Sequence, residues 1–213
     1  MLPRRSLVAL VLTAVVVVDS WAGQERRRLT DPPSTPIPEL LRPGDKTVIL
    51  DPGFLPPLVS EFSSSMPAAD LLRAHAQAAD WVVMGPVVDR QPHLTADQTW
   101  IMTSVRIEVG EQLKPRGRSL GTVIEIEEQG GSVELEGVNV TAVAEWQQRL
   151  VTGETYLLFI TRGSRGATVE WSYRINAKKQ LESTFQPFIR GETFDTAHGM
   201  SLERLRNILR GVV

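Results

Sequence analysis

The three histidines are the first residues to examine for chemistry, because an imidazole can bind a metal ion or move a proton near neutral pH. His75, His93 and His198 lie far apart in the sequence, and none belongs to a pair with the spacing of two ligands on one helix. The chain contains no cysteine, so it has no thiolate ligand and no thiol nucleophile. The sequence therefore predicts neither a metal site nor a cofactor.

Serines and carboxylates give as little support for catalysis. Residues 199–203 (GMSLE) lack the Gly-x-Ser-x-Gly pattern of a turn that presents a serine nucleophile. The glutamates at 125, 127, 134 and 136 alternate along predicted strands, where two of them could act as acid and base. Carboxylates at this spacing ordinarily face solvent from one side of a strand. We expect a protein that is not an enzyme; an enzyme whose site assembles only in space is an alternative.

Residues 1–22 have the pattern of a secretory signal peptide. Two arginines precede an apolar stretch at 6–18, which is too short for an ordinary transmembrane helix. Ser20 and Ala22 supply the small residues of a cleavage site before Gly23. The sequence predicts export to the periplasm, the cell envelope or the exterior, with no membrane span after cleavage. An uncleaved N-terminal anchor is the alternative.

The charge balance limits the class of partner. The chain carries 23 Lys and Arg against 25 Asp and Glu, for a formal net charge of −2. Nucleic acids and anionic membranes attract proteins through a basic excess, which this chain lacks. We therefore expect no nucleic acid among its partners, and an exported or envelope protein as the candidate partner.

Four parts follow one another along the sequence. They are a signal peptide (1–22), a proline-rich tether partly packed on the core (23–67), a core with its preceding helix (68–190) and a C-terminal helical extension (191–213). Nine of the 14 prolines lie between Pro32 and Pro67, which is typical of an extended tether. Within the tether, residues 47–50 predict an edge strand beside the core. The apolar residues at 54, 55, 58 and 62 predict a hydrophobic contact with it, or a linear motif for a partner.

A helix is predicted at each end of the core. Residues 68–80 have helical periodicity, with one face formed by Leu71, Leu72, His75, Ala78 and Ala79. Ser201 is suited to cap a second helix over residues 202–210, whose apolar stripe is formed by Leu202, Leu205, Ile208 and Leu209. We expect this stripe to pack on the core; a partner-binding tail is the alternative.

The predicted strands of the core differ in how apolar and polar residues alternate along them. Residues 153–160 are a nearly continuous apolar run after a turn glycine, which predicts a central strand buried on both faces. Residues 98–113 form the longest strand pattern, in which Trp100, Met102 and Arg106 belong to the outward set. Other strands are predicted at residues 82–88, 121–127, 133–140 and 168–175, with a bulge or edge position at Gly85-Pro86. In the last of these, Val169, Trp171, Tyr173 and Ile175 are expected on one face.

Five stretches carry a resemblance to a known group of proteins. They are residues 79–87 (ADWVVMGPV), 103–114 (TSVRIEVGEQLK), 121–126 (GTVIEI), 130–134 (GGSVE) and 153–160 (GETYLLFI). In this order, after a helix, they resemble exported bacterial proteins whose core is similar to the OB-fold barrel of tissue inhibitors of metalloproteinases and the netrin module. The resemblance covers about half of the chain. It implies a mainly β fold, with a small five-stranded Greek-key barrel between two helices.

The resemblance carries little function over to this chain. The metalloproteinase inhibitors chelate the catalytic zinc through an N-terminal cysteine, and this chain has none. We expect a non-catalytic exported binding module, with a protease inhibitor of another mechanism as the alternative. Trp100, Met102 and Arg106 form the candidate partner face, because large apolar side chains that face outward favour a binding surface. Coverage of this face by the N-terminal tether or the C-terminal helix is the competing explanation.

Overall fold

The computed structural model describes residues 26–29, 34–51, 66–114, 121–143, 149–163, 166–184 and 195–210. Strands account for 52% of this part and helices for 16%, so the fold is mainly β as predicted. The strands are β1 (Arg26–Leu29), β2 (Thr47–Leu50), β3 (Trp81–Leu94), β4 (Ile101–Glu108), β5 (Glu111–Lys114), β6 (Val123–Gln129), β7 (Gly131–Leu135), β8 (Val138–Ala142), β9 (Thr155–Gly163), β10 (Gly166–Ile175) and β11 (Leu181–Ser183). The helices are α1 (Ile37–Leu40), α2 (Ala68–Ala78) and α3 (Leu202–Leu209).

The larger of the two sheets is antiparallel and is organised around β3. Its strand order is β11-β10-β9-β3-β4-β6, with β5 also paired to β3. The first half of β3 pairs with β9 and β5, and its second half pairs with β4. β3 is 14 residues long, so the prediction that residues 98–113 form the longest strand was wrong. That stretch is divided at residues 109–110 into β4 and β5.

A bend in the chain explains this division. Gly85 and Pro86 have no partner on β4 or β5, although they pair with β9. A Cβ atom at Gly85 would lie 1.8 Å from the Glu108 carbonyl oxygen, so only glycine lets the bend between β4 and β5 approach β3 this closely. Pro86 lacks an N–H group and suits a position without a partner on this side. The bulge or edge position predicted at Gly85-Pro86 is not found there, because these residues pair in register with β9. The register shifts of β3 lie on either side, between Val82 and Val83 against β5 and between Val87 and Asp89 against β4.

The described strands do not close into a barrel. The path of the larger sheet ends at β6 on one side and at β11 on the other. Eleven strands are described where five were predicted. Four of them form a second sheet, and the seven of the larger sheet include β5, which is separated from β4, and the short β11.

The smaller sheet has the order β1-β2-β8-β7. β2 lies between β1 and β8 and is parallel to both, so the prediction of an edge strand at residues 47–50 was wrong. Its apolar core includes Ile37 of α1 and Ile101 of β4, which joins this sheet to the larger one. The tether therefore contributes two strands and a short helix, which its proline content did not predict.

Both longer helices pack on one face of the larger sheet. The four apolar residues of α3 are buried there together with Leu72 and Ala76 of α2 and with Phe159 and Tyr173 of the sheet. The Ser201 hydroxyl accepts a hydrogen bond from the Arg204 N–H at 3.3 Å, which confirms the predicted cap. On α2, Leu71 and Leu72 are buried as predicted, whereas Ala78 of the predicted face is exposed and Ala76 is buried instead.

β9 is the central strand that its apolar run predicts, with all five residues from Tyr156 to Ile160 buried. Its neighbour β10 has a register shift between Val169 and Trp171. An extra residue in one strand reverses which side the following side chains face. Val169 therefore packs in the core on the other side of the sheet from Trp171 and Tyr173, and the prediction of one shared face was wrong.

Candidate functional site

On the solvent-facing side of β3, β4 and β6, polar side chains lie in rows across the sheet. The register of the three strands determines which side chains share a row. Gln91, Ser104 and Glu127 are directly opposite one another across the strands, and the next row contains Asp89, Arg106 and Glu125. The alternate residues Val105, Ile107, Ile124 and Ile126 are buried beneath them. Because side chains alternate along strands, this apolar layer holds the polar rows in place on the outer side.

A hollow of about 400 Å³ opens on this side of the sheet. We call it the Arg106 hollow. Its lining residues are Gln91, Ser104, Arg106, Val123 and Glu125. Val123 is 41% exposed and is one of few large apolar side chains in the described residues with such exposure. The hollow thus combines an apolar contact, a cation, an anion and neutral polar groups.

Several polar groups around the hollow already have partners. The Ser104 hydroxyl donates to Glu127 Oε1 at 2.5 Å, and His93 Nε2 lies 3.6 Å from Glu127 Oε2. Gln91 Nε2 donates to Asp89 Oδ2 at 2.8 Å. These contacts involve five side chains at or near the margin of the hollow and leave less of their hydrogen-bonding capacity for a ligand.

Arg106 and Glu125 differ from their neighbours. Their Cα atoms are paired across β4 and β6, yet the two side chains make no ion pair or hydrogen bond with each other or with any other described residue. Both side chains are exposed. An arginine offers five N–H donors in a planar fork and a carboxylate offers two acceptor oxygens. The hollow therefore presents a free donor group and a free acceptor group side by side.

Of the three residues predicted for the partner face, the structure brings two together. Met102 lies on β4, opposite His93 and Gln129, and is half-buried on the same side of the sheet as Arg106. Trp100 lies in the turn between β3 and β4, where its N–H donates to Thr95 Oγ1 at 3.0 Å. Its side chain is half-buried against the core of the smaller sheet. Tether residues and residues of β4 and β8 both contribute to that core.

Sequence reasoning missed Gln91, Ser104, Val123 and Glu125 as lining residues. Each belongs to a strand pattern, but only the register between strands shows which of them meet. The turn that contains Trp100 could have been predicted from the local sequence. Thr95 and Asp97 are residue types whose side chains often hydrogen-bond to nearby backbone groups in turns. In the structure Asp97 accepts a hydrogen bond from the Thr99 N–H, and Gln98 has a φ of 58°.

A second polar cluster lies inside the protein, between α2, β10 and the segment before α3. The ring of His75 stacks on that of Trp171, with centroids 4.6 Å apart. Asp195 Oδ1 accepts hydrogen bonds from the Tyr173 hydroxyl at 3.2 Å and the Ala197 N–H at 2.9 Å. Burial lowers the pKa of His75, and the nearby Asp195 carboxylate opposes this shift. His75, which the sequence analysis placed on the apolar face of this helix, is half-buried against the aromatic residues of the core.

A third polar group lies at the end of the core formed by β3, β4, β6 and β9. Glu128 accepts a hydrogen bond from Arg90 Nη2 at 2.9 Å and another from the Leu150 N–H at 3.1 Å. Burial raises the pKa of Glu128, while the Leu150 N–H and the Arg90 guanidinium act in the opposite direction. The Glu128 side chain is only 10% exposed. We therefore interpret the ion pair of Arg90 with Glu128 as a structural contact between β3 and β6.

The described residues contain no group of three or more His, Asp and Glu side chains that could hold a metal ion. His93 contacts Glu127 on the outer side of the larger sheet, whereas the ring of His198 is near the Ser183 N–H. None of the helices in the described ranges is long and apolar enough to cross a membrane. The predicted cleavage site at Ala22 and Gly23, and the apolar residues at 54, 55, 58 and 62, lie outside the described residues.

No protein-family model matches the sequence. A search of curated proteins found no match either.

Proposed function

We propose that the chain is an exported, non-catalytic binding protein, which binds a protein or another macromolecule through the outer side of β3, β4 and β6. The observation that carries this proposal is the unpaired state of Arg106 and Glu125 at the Arg106 hollow. Ordered strands hold both side chains over a packed core, so little conformational freedom of the backbone is lost when a partner binds.

The strand pairing supports an OB-like core for this protein. β3 pairs with both β4 and β9, β4 pairs with β6, and β9 pairs with β10. In this arrangement β4 and β6 take the places of the second and third strands of an OB fold. The outer side of those two strands, with adjoining loops, is a common ligand surface of OB folds. The Arg106 hollow lies on the corresponding side here.

Export is supported by the signal-peptide pattern of residues 1–22. The formal net charge of −2 and the glutamates around Arg106 favour a partner other than a nucleic acid, because phosphate backbones bind to basic surfaces. An exported or envelope protein remains the partner class that fits best.

The test is a pull-down from the exported proteins of the native host, with the chain from residue 23 onward as bait. The decisive variant is Arg106→Gln combined with Glu125→Gln, which removes both free charges and preserves side-chain size. The matched control is Arg204→Gln combined with Glu203→Gln, on the exposed side of α3. We expect a partner that wild type and control capture and that the decisive variant loses.

Two results would contradict the proposal. Capture by all three baits would place the binding surface elsewhere, and capture by none would remove the evidence for a macromolecular partner. Circular dichroism spectra of the variants must match wild type, which we expect because the four substituted side chains make no hydrogen bond or ion pair in the part of the chain that the structure describes.

A further inference from the structure

The charged side chains of the Arg106 hollow limit the kinds of chemical group that it can bind. A guanidinium without a partner attracts a carboxylate or another anion, with which it forms paired hydrogen bonds. A glutamate without a partner attracts an ammonium group or another charged donor. In this hollow the two lie on directly opposite residues of neighbouring strands, Arg106 and Glu125. A ligand that satisfies both must carry an anion and a cation close together.

The two free side chains do not satisfy each other. Among the described residues no ion pair joins the Arg106 guanidinium to the Glu125 carboxylate, although their Cα atoms are paired across β4 and β6. Cβ atoms of directly opposite residues in neighbouring strands are about 5 Å apart. A ligand whose ammonium and carboxylate are separated by one carbon atom fits between two such side chains, with one hydrogen-bonded contact on each side.

The third feature of the hollow is apolar. Val123 begins β6, lies on the same side of the strand as Glu125, and is 41% exposed. An exposed valine next to two charged groups offers a contact for an aliphatic chain. The size of the hollow, about 400 Å³, falls within the range of small-molecule sites.

We infer that the Arg106 hollow binds an α-amino-acid group, with the carboxylate on Arg106, the ammonium on Glu125 and an aliphatic side chain against Val123. This inference rests on the proposed function and specifies the group that the partner presents. The group can belong to a free amino acid or form the end of a larger molecule attached through its side chain. Both sources share the same ammonium and carboxylate.

The experiment is an NMR titration of the ¹⁵N-labelled chain from residue 23 onward with four probes. L-Leucine carries both charges, leucinamide lacks the carboxylate, and N-acetylleucine lacks the ammonium. Nε-acetyl-lysine keeps the α-amino-acid group and imitates attachment through the side chain. We expect saturable shifts of the amide signals of Ser104, Arg106 and Glu125 with leucine. The expected dissociation constant is about 10 mM or tighter, which a modest free energy per heavy atom gives a ligand of this size.

The two leucine derivatives decide the result. Each loses one charge-assisted contact, so we expect their binding to be about tenfold to a hundredfold weaker than that of leucine. Equal binding of all three, or no saturable shift with leucine, would overturn the inference. Tighter binding of Nε-acetyl-lysine than of leucine would assign the group to a larger molecule, and the reverse would assign it to the free amino acid.

Variants separate the site from the rest of the surface. Arg106→Gln and Glu125→Gln should each weaken leucine binding about tenfold or more, and Arg204→Gln should leave it unchanged. Val123→Ser should weaken the binding of leucine but not that of glycine. A partner captured in the pull-down through Arg106 and Glu125, without any leucine shift, would refute this inference and leave the proposed function intact. Leucine binding without a captured partner would refute the macromolecular partner alone.

Discussion

Gly85 lies so close to another segment of backbone that the fold should be highly sensitive to the addition of a single methyl group there. A Cβ atom there would lie 1.8 Å from the Glu108 carbonyl oxygen, 2.9 Å from the Glu108 carbonyl carbon and 3.3 Å from the Gly110 nitrogen. All three are backbone atoms of the bend between β4 and β5, which is paired to β3 on both sides. They cannot move away by a change of rotamer.

The magnitude of the effect follows from this geometry. The Glu108 carbonyl oxygen must move by well over 1 Å to reach an ordinary van der Waals distance, which would break neighbouring hydrogen bonds of β3 with β4 or β5. Overpacking of ordinary core sites destabilises by about 1–3 kcal/mol, and a clash with backbone lies at or above the upper end. We expect Gly85→Ala to lower the free energy of unfolding by about 3 kcal/mol or more. For a domain of this size the melting temperature should fall by roughly 6–12 °C.

The assay is urea and thermal unfolding followed by circular dichroism, with Gly110→Ala as the matched control. Gly110 lies on the other side of the same bend, and a Cβ atom there would meet only the Met84 carbonyl oxygen, at 3.4 Å. The control should therefore change the stability by less than about 1 kcal/mol. The reasoning fails if Gly85→Ala unfolds within about 0.5 kcal/mol of wild type, or if the two variants are equally destabilised.

Three further predictions concern buried polar groups and a helix cap. Arg90→Met removes the cation that hydrogen-bonds to the buried Glu128 carboxylate and, among cations, leaves only the electrostatic effect of Arg149. We expect a loss of about 2–4 kcal/mol near neutral pH. The loss should be smaller at acid pH, where Glu128 becomes protonated, and urea unfolding at both pH values measures this. Burial lowers the pKa of His75 in the folded state, so the folded protein should lose stability as the pH falls from about 6.5 towards that lowered value, and His75→Gln should reduce this loss in melting scans across the same range. Ser201→Ala should cost about 1 kcal/mol in urea unfolding through loss of the hydrogen bond to the Arg204 N–H.

Each of these predictions has a result that would contradict it. An Arg90→Met effect that is equal at neutral and acid pH would show that the charge on Glu128 is not the cause. His93→Gln serves as the control for His75, because His93 is on the outer side of the sheet; an equal effect of the two substitutions would exclude burial as the reason. A change in Ser201→Ala below about 0.3 kcal/mol would mean that solvent caps α3 as well as serine does.

The sequence predicts those helices and strands whose burial follows from the residue types within the element itself. The apolar run of β9 requires burial on both faces, and the stripe of α3 with its serine cap requires a packed helix; the structure has both. The mainly β class follows in the same way from alternation along the strands. In each case the signal is local, because neighbouring residues in the chain share one element.

The remaining features depend on residues that are distant in the sequence. Alternation placed Trp171 and Val169 on one face, but one extra residue in β10 puts them on opposite faces, and no local residue type marks that position. The smaller sheet needs the pairing of β2 with β8, which two short apolar runs cannot specify. The Arg106 hollow needs the register of three strands, so only Met102 and Arg106 of this region were predictable, and Trp100 was assigned to a strand although it lies in a turn.

The strand order of the smaller sheet has a consequence for the sequence of events during folding. β2 cannot acquire both neighbours until β8 is present, since Thr47 pairs with Asn139, which lies much later in the chain. Contacts between residues so far apart close a long loop, and folds rich in such contacts form slowly. A chain that emerges from its N-terminus therefore presents β1 and β2 long before β8 is available to complete the sheet. Completion of this sheet is expected to be a late step of folding.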